Sequence, residues 1–159
     1  MSTLAELYEQ YGPRLYRYAL VILADSEAAE DVLQEAFCQL AVALRRRSGV
    51  ATLPYLNTIV RNECYSRLRK RRRTAVVPVG PMLEPVSAEA NGEELVLVDN
   101  ALRALPPDQR EVVYLKIYEG LTFREIGERC GVSMNTAASR YRYALDTLRG
   151  VLTPSGGRQ

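Results

Sequence analysis

The chain has 159 residues, room for one or two small domains with a modest core in each and not for a large catalytic scaffold. It carries 21 Lys and Arg against 19 Asp and Glu, a net charge of only +2, so any affinity for nucleic acid must come from where the charges lie. It has no histidine, which excludes Ser-His catalysis, histidine general-base chemistry and mixed Cys/His metal sites; Cys38, Cys64 and Cys130 are too scattered for a zinc site and read as reduced, buried thiols.

Leu4, Leu7, Tyr8, Tyr11, Leu15, Tyr18, Ala19 and Ile22 recur at helical intervals, predicting a first amphipathic helix with its tyrosines in the core and an interruption near Gly12 and Pro13. The polar, acidic start MSTLAELYEQYG lacks the blocks of a signal peptide, and no apolar run is long enough to span a bilayer. The expectation is a cytoplasmic protein without membrane insertion. A second helix should begin at Asp25 or Ser26, with Ala29, Val32, Leu33, Ala36, Phe37, Leu40 and Leu44 on one face and Glu27, Glu30, Asp31, Gln34 and Glu35 on the other. Taken alone, such an acidic stripe is a solvated face. The stretch from Arg45 to Thr52 reads as a flexible basic loop that breaks this helix, and loops of that kind often contact ligands.

Pro54 suits the first turn of a third helix, whose stripe of Leu56, Ile59, Val60, Cys64 and Leu68 runs into Arg67, Arg69, Lys70, Arg71, Arg72 and Arg73. Six cations in seven positions exceed what local carboxylates can pair, so phosphate binding with counterion release is their natural use. Residues 75–94, with Pro78, Gly80, Pro81, Pro85, Asn91 and Gly92 and the acids Glu84, Glu89, Glu93 and Glu94, read as a flexible acidic linker. Leu95, Val98, Leu102 and Leu105 mark a helix stopped by Pro106 and Pro107. Val112, Val113, Leu115, Ile117 and Tyr118 mark another that ends at Gly120.

Thr122 to Leu148 reads as a helix-turn-helix. Thr122 and Glu125 form a capping box ahead of Phe123 and Ile126, Gly131 takes the positive φ at the turn, and Ser133 caps the next helix. Gly127 and Ala137 are small where the two helices cross. On the second helix, Ala137, Tyr141, Ala144, Leu145 and Leu148 share one face, and Asn135, Ser139, Arg142 and Tyr143 share the other. An ordinary helical hairpin with a solvated polar face would follow the same pattern. Residues 153–159 hold no core former and are expected to be disordered. The fold class is therefore all-α: two small helical domains, 1–74 and 95–152, joined by the linker.

In these segments the chain resembles a bacterial sigma factor of the extracytoplasmic-function group. DSEAAEDVLQEAF, Asp25 to Phe37, resembles the sigma-two helix that docks on the β′ clamp helices of RNA polymerase, which implies Asp31, Gln34 and Glu35 as polymerase contacts. PYLNTIVRNECYSRLRKRRR, Pro54 to Arg73, resembles the promoter-melting helix, with Arg61 and Asn62 at its recurring Arg-Asn pair. In that family the preceding loop, here about Arg45 to Leu53, captures a base flipped from the minus-ten element. The minus-ten set is thus Arg45, Arg46, Arg47, Arg61, Asn62, Arg67 and Lys70, with Tyr55 where many members carry Trp.

Leu105 to Leu145 resembles the sigma-four domain, which reads the minus-thirty-five element in the major groove. By that likeness Asn135, Ser139, Arg142 and Tyr143 face bases, Thr136 and Arg140 hold phosphates, and Ala138 stands where many members have Lys or Arg. The implied partners are core RNA polymerase, through its β′ clamp helices and β subunit, and promoter DNA; anti-sigma control is common among such proteins. The resemblance implies no cofactor, no metal and no catalytic residue. Two other readings stay open on the residues: a free-standing helix-turn-helix regulator acting as a dimer, and a sigma-mimic interaction module.

Overall fold

A computed structural model describes residues 2–46, 52–74 and 99–152, and among these every regular element is a helix. They fall into two compact units, one within Met1–Gly80 and one within Pro81–Gln159. Arg47, the rest of the segment 47–51, the predicted linker with Leu95 and Val98, and the predicted tail 153–159 lie outside the described residues.

In the first unit, α1 spans Leu4–Leu23 and opens on a capping box: Thr3 Oγ1 accepts from the Glu6 amide at 3.1 Å while Glu6 Oε1 accepts from the Thr3 amide at 3.2 Å. The interruption expected at Gly12 and Pro13 does not occur, for the helix runs through Pro13. Gly12 has no Cβ to collide with the proline ring, and burial of Leu7 before it and Leu15 and Tyr18 after it favours one continuous helix over a break. Tyr18 is fully buried as predicted, but Tyr8 is 45% exposed at the bundle edge, its ring 4.9 Å from that of Phe37.

The chain turns sharply at Ala24, a non-glycine in the left-handed region with φ 55 whose amide donates to Leu20 O at 2.8 Å. Asp25 Oδ1 then accepts from the Ala28 amide at 3.2 Å, capping α2, Ser26–Arg46. Ala29, Val32, Leu33, Ala36, Phe37 and Leu40 are buried, but the apolar stripe leaves the core beyond Leu40, where Val42 and Leu44 are exposed. Cys38 is exposed as well, contrary to the expectation of three buried thiols, while Cys64 and Cys130 are buried. The helix also continues through Arg45 and Arg46 instead of breaking before them, and two cations in a last turn interact favourably with its carbonyl end. The third helix, α3, spans Thr52–Thr74, buries Leu56, Ile59, Val60 and Cys64, and packs against both α1 and α2.

In the second unit, α4 is helical over 99–103 among the described residues. Pro106 and Pro107 not only stop it but begin the next element: Pro106 is the N-cap and Pro107 the first residue of α5, Pro107–Ile117, where a missing amide costs nothing. The bend is sealed by Arg110, whose Nη1 donates to Leu105 O at 2.9 Å. Leu105, Val113 and Ala144 form a core against which Leu102, Tyr141 and Leu148 pack. Ile117 and Tyr118, apolar positions of the sequence pattern, are 61% and 54% exposed, and the Tyr118 ring stacks on Tyr114 at 5.3 Å. The unit is completed by α6, Phe123–Cys130, and α7, Met134–Leu152.

Candidate nucleic-acid interface

The turn between α6 and α7 is built as its residue types dictate. Thr122 donates its amide to Glu125 Oε1 at 2.8 Å and accepts the Glu125 amide on Oγ1 at 3.1 Å. The backbone hydrogen bond from Thr122, then its hydroxyl, with Arg129 and Lys116 adding smaller attractions, hold the Glu125 carboxyl below its ordinary range. Gly131 ends α6 at φ 73, and its amide and that of Val132, at 2.9 Å, both donate to Gly127 O. A Cβ on Gly127 would lie 2.7 Å from Val132 O, so the glycine is what lets the turn fold back this closely. Ser133 Oγ accepts from the Thr136 amide at 3.0 Å and starts α7. The rings of Phe123 and Tyr141, 5.5 Å apart, then join the two helices.

This fixes which face of α7 is free. Ala137 and Ala144 are fully buried, whereas Asn135, Arg142 and Tyr143 are exposed and Ser139 is half-buried beside them. Arg142 Nη2 lies 3.5 Å from Ser139 Oγ, and its guanidinium lies 5.5 Å over the Tyr143 ring, so these three form one cluster with Asn135 a turn earlier. An amide and a guanidinium on one helix face can make two-pronged contacts to adenine and guanine edges. The other two predicted residues are held from within. Thr136 is hydrogen-bonded to Ser133, and Arg140 Nε lies 3.4 Å from Asp108 Oδ2 of α5.

In the first unit, Asp31, Gln34 and Glu35 lie exposed along α2, where Glu35 Oε2 accepts from Gln39 Nε2 at 3.0 Å. Asn62 and Lys70 are exposed on α3, and Arg61 lies half-buried over the Tyr65 ring at 4.6 Å. Arg45 and Arg46 are exposed on the last turn of α2, and Tyr55 is half-buried on α3. Arg67 Nη1 lies 3.9 Å from Asp31 Oδ2, so the acidic face of α2 and the basic face of α3 meet along one edge. At that distance, and with both side chains partly in water, the pair contributes little stability by itself.

Sequence reasoning groups Arg71 with the solvent-facing cations, but its guanidinium turns inward to Leu23 and Asp25. The available signal is register: Arg71 follows Cys64 by seven residues and so continues the buried stripe of α3. Among the described residues no group of acids and cysteines is arranged to hold a metal, and no helix is long and apolar enough to cross a membrane.

Comparison with known proteins gives the same division of the chain. The family model for Sigma-70 region 2 matches residues 7–74, and that for Sigma-70, region 4 matches residues 95–148. RNA polymerase sigma factor CarQ of Myxococcus xanthus is 30% identical over 92% of this chain and 87% of its own length. ECF RNA polymerase sigma factor SigK of Mycobacterium tuberculosis is 29% identical over 97% of this chain and 88% of its own. ECF RNA polymerase sigma factor SigE of Mycolicibacterium smegmatis is also 29% identical, and the chain spans 62% of that protein's length. Among solved structures, the sigma factor RpoE of Bartonella quintana, in complex with the anti-sigma factor NepR, superposes with a TM-score of 0.76 at 25% identity over 95% of this chain and 97% of that one. With region 2 falling in the first unit and region 4 in the second, and with this likeness to nearly whole sigma factors, the chain belongs to the extracytoplasmic-function (ECF) group of RNA polymerase sigma factors.

Proposed function

We infer that this protein binds core RNA polymerase and directs it to promoters, recognising a minus-ten and a minus-thirty-five DNA element. The observation that carries the inference is the helix-turn-helix of a sigma region 4 on the same chain as a region 2 unit whose acidic and basic faces adjoin. One unit with both charges on neighbouring helices suits a body that sits between an enzyme and DNA. The second suits an anchor upstream.

In this reading residues 1–74 bind polymerase and open the minus-ten DNA, 75–94 are the linker, and 95–152 read the minus-thirty-five element. Asp31, Gln34 and Glu35 meet the β′ clamp helices. Arg45, Arg46, Arg47, Arg61, Asn62, Arg67 and Lys70 serve the melted strand; Asn135, Ser139, Arg142 and Tyr143 read bases, and Thr136 and Arg140 hold phosphates. Phosphate contacts supply most of the affinity and a strong dependence on salt, and a few base contacts supply the specificity. The protein performs no covalent chemistry; nucleotide addition belongs to the polymerase. It works in the cytoplasm, and an anti-sigma protein, as in the complex formed by its structural relative, is a further partner.

The test is transcription of a fragmented genomic library by bacterial core polymerase with and without the protein, mapping RNA 5′ ends. New starts sharing two upstream elements are expected. Arg142→Ala should lose about 1–3 kcal/mol of discrimination at one minus-thirty-five base pair. Polymerase binding without any new start would defeat the reading.

A further inference from the structure

The cationic run that closes α3 divides by the direction of its side chains. Arg69, Lys70 and Arg72 are exposed, whereas the Arg71 side chain, only 14% exposed, enters the corner where α1 ends and α2 begins. Its Nη1 donates to Leu23 O at 2.8 Å, one of the carbonyls that a helix end leaves without a partner inside the helix. Its Nη2 lies 3.4 Å from Asp25 Oδ2, while the other oxygen of that carboxylate caps α2 through the Ala28 amide. A single guanidinium on α3 therefore grips the last turn of α1 and the cap of α2, at the bend that Ala24 makes with φ 55.

We propose that Arg71 is a positioning residue and not a phosphate contact: with Asp25 it sets the angle between α3, the helix that opens DNA, and α2, the helix that docks on polymerase. The planar guanidinium fork holds two acceptors in fixed directions, which a lysine ammonium cannot reproduce. Leverage makes the angle matter. Asn62 lies nine residues before Arg71, about 13 Å along the helix at 1.5 Å per residue. A tilt of about 10° pivoting at the clamp shifts Asn62 by about 2 Å, beyond the tolerance of about 0.5 Å for a productive site. The proposal rests on α3 being the promoter-opening helix, so the experiment tests that premise separately through Asn62.

Holoenzyme is assembled from core polymerase and full-length chains carrying Arg71→Gln, Arg71→Lys, Asp25→Asn, Arg72→Gln or Asn62→Ala. The readouts are core affinity, thermal stability, permanganate reactivity of minus-ten thymines at saturating holoenzyme, and the salt dependence of promoter binding. Asparagine still caps a helix, so Asp25→Asn removes the charge partner while keeping α2 started. The three clamp variants are expected to open DNA on the order of 10-fold more slowly with core affinity unchanged, because Asn62 then meets the unstacked base off its contact geometry. The effects of Arg71→Gln and Asp25→Asn should not add, because both break the same pair.

The salt slope should stay at the wild-type value for Arg71→Gln and fall by about 0.9 for the exposed Arg72→Gln, the signature of one lost phosphate. A fall of about 0.9 for Arg71→Gln, or wild-type opening by both Arg71→Lys and Asp25→Asn, overturns the clamp. So does a loss of opening matched by an equal loss of core affinity and stability in every clamp variant. Normal opening by Asn62→Ala would remove the reading of α3 and the clamp with it; a defect there beside normal opening by both Arg71→Lys and Asp25→Asn would overturn the clamp alone.

Discussion

Replacing Gly127 with alanine sets two opposed effects against each other in the helix-turn-helix. Inside a helix with free space around it, the change gains about 1 kcal/mol from helix propensity. At Gly127 the new Cβ would stand 2.7 Å from Val132 O, 3.2 Å from Ser133 C and 3.3 Å from Met134 N. All three atoms are backbone of the turn, so no side chain can rotate out of the way. Nor can the turn retreat cheaply, since the Val132 amide bonds Gly127 O at 2.9 Å. Overpacking costs about 1–3 kcal/mol and a weakened hydrogen bond about 1 kcal/mol, so Gly127→Ala should destabilise the second unit by roughly 1–3 kcal/mol net. Gly150 is the internal control, because beyond its chain neighbours and its own helix backbone no described atom lies within 4 Å of its Cβ position, and alanine there should stabilise by up to about 1 kcal/mol. Thiol labelling against denaturant reads the effect locally, since Cys130 is buried in α6 and Cys64 in α3. Cys130 in Gly127→Ala should become reactive at lower denaturant with Cys64 unmoved. A Gly127→Ala protein as stable as its parent would refute the close approach on which the turn geometry depends.

The capping box of α6 makes a pH-dependent contribution. Because the Glu125 carboxyl is held below its ordinary value of 4.5, its stabilisation is fully present above that value and is lost as pH falls through the lowered one. The stability difference between the parent and Glu125→Gln should therefore shrink below about pH 4.5 in thermal melts, and a difference independent of pH would contradict the cap. Thr122→Ala removes the acceptor for the Glu125 amide and should cost about 1 kcal/mol at neutral pH, measured by the same labelling of Cys130. Glu35→Lys reverses an exposed charge on α2 and should weaken core binding by about 10-fold at low salt, less at high salt; unchanged affinity would remove Glu35 from the polymerase surface. In the native chain a thiol reagent should modify Cys38 rapidly and leave Cys64 and Cys130 until unfolding. Equal rates at all three would show that the described packing is wrong.

Features whose partners lie within one turn of chain are legible in the sequence. Thr122 with Glu125, Gly131 and Ser133 form contacts among near neighbours, so residue type and spacing specify them. The same T-x-x-E signal stands at Thr3 and Glu6, where it also forms a capping box. Features set by packing are not legible in this way. Pro13 is a local breaker, but the buried residues around it keep α1 whole. Tyr8 and Cys38 have helical neighbours in the core, yet each sits where its stripe runs to the edge. The direction of an arginine is the least local property of all, since Arg71 answers to groups 46 and 48 residues away. A run of cations therefore announces phosphate binding without saying which of its members is engaged elsewhere.

One helix, α2, holds both the acidic polymerase candidates and, in its last turn, the basic pair Arg45 and Arg46. Between Asp31 and Arg46 lie fifteen steps of a rigid rod, about 22 Å at 1.5 Å each. In the proposed function the helix is thus a ruler: with Asp31 on the polymerase, it would set how far from that surface the arginines are presented, and on which side. Lengthening it by one residue after Phe37 would advance the arginines by only about 1.5 Å but turn them by about 100°. The gauge tolerates substitution along its outer face far better than any change in its number of divisions.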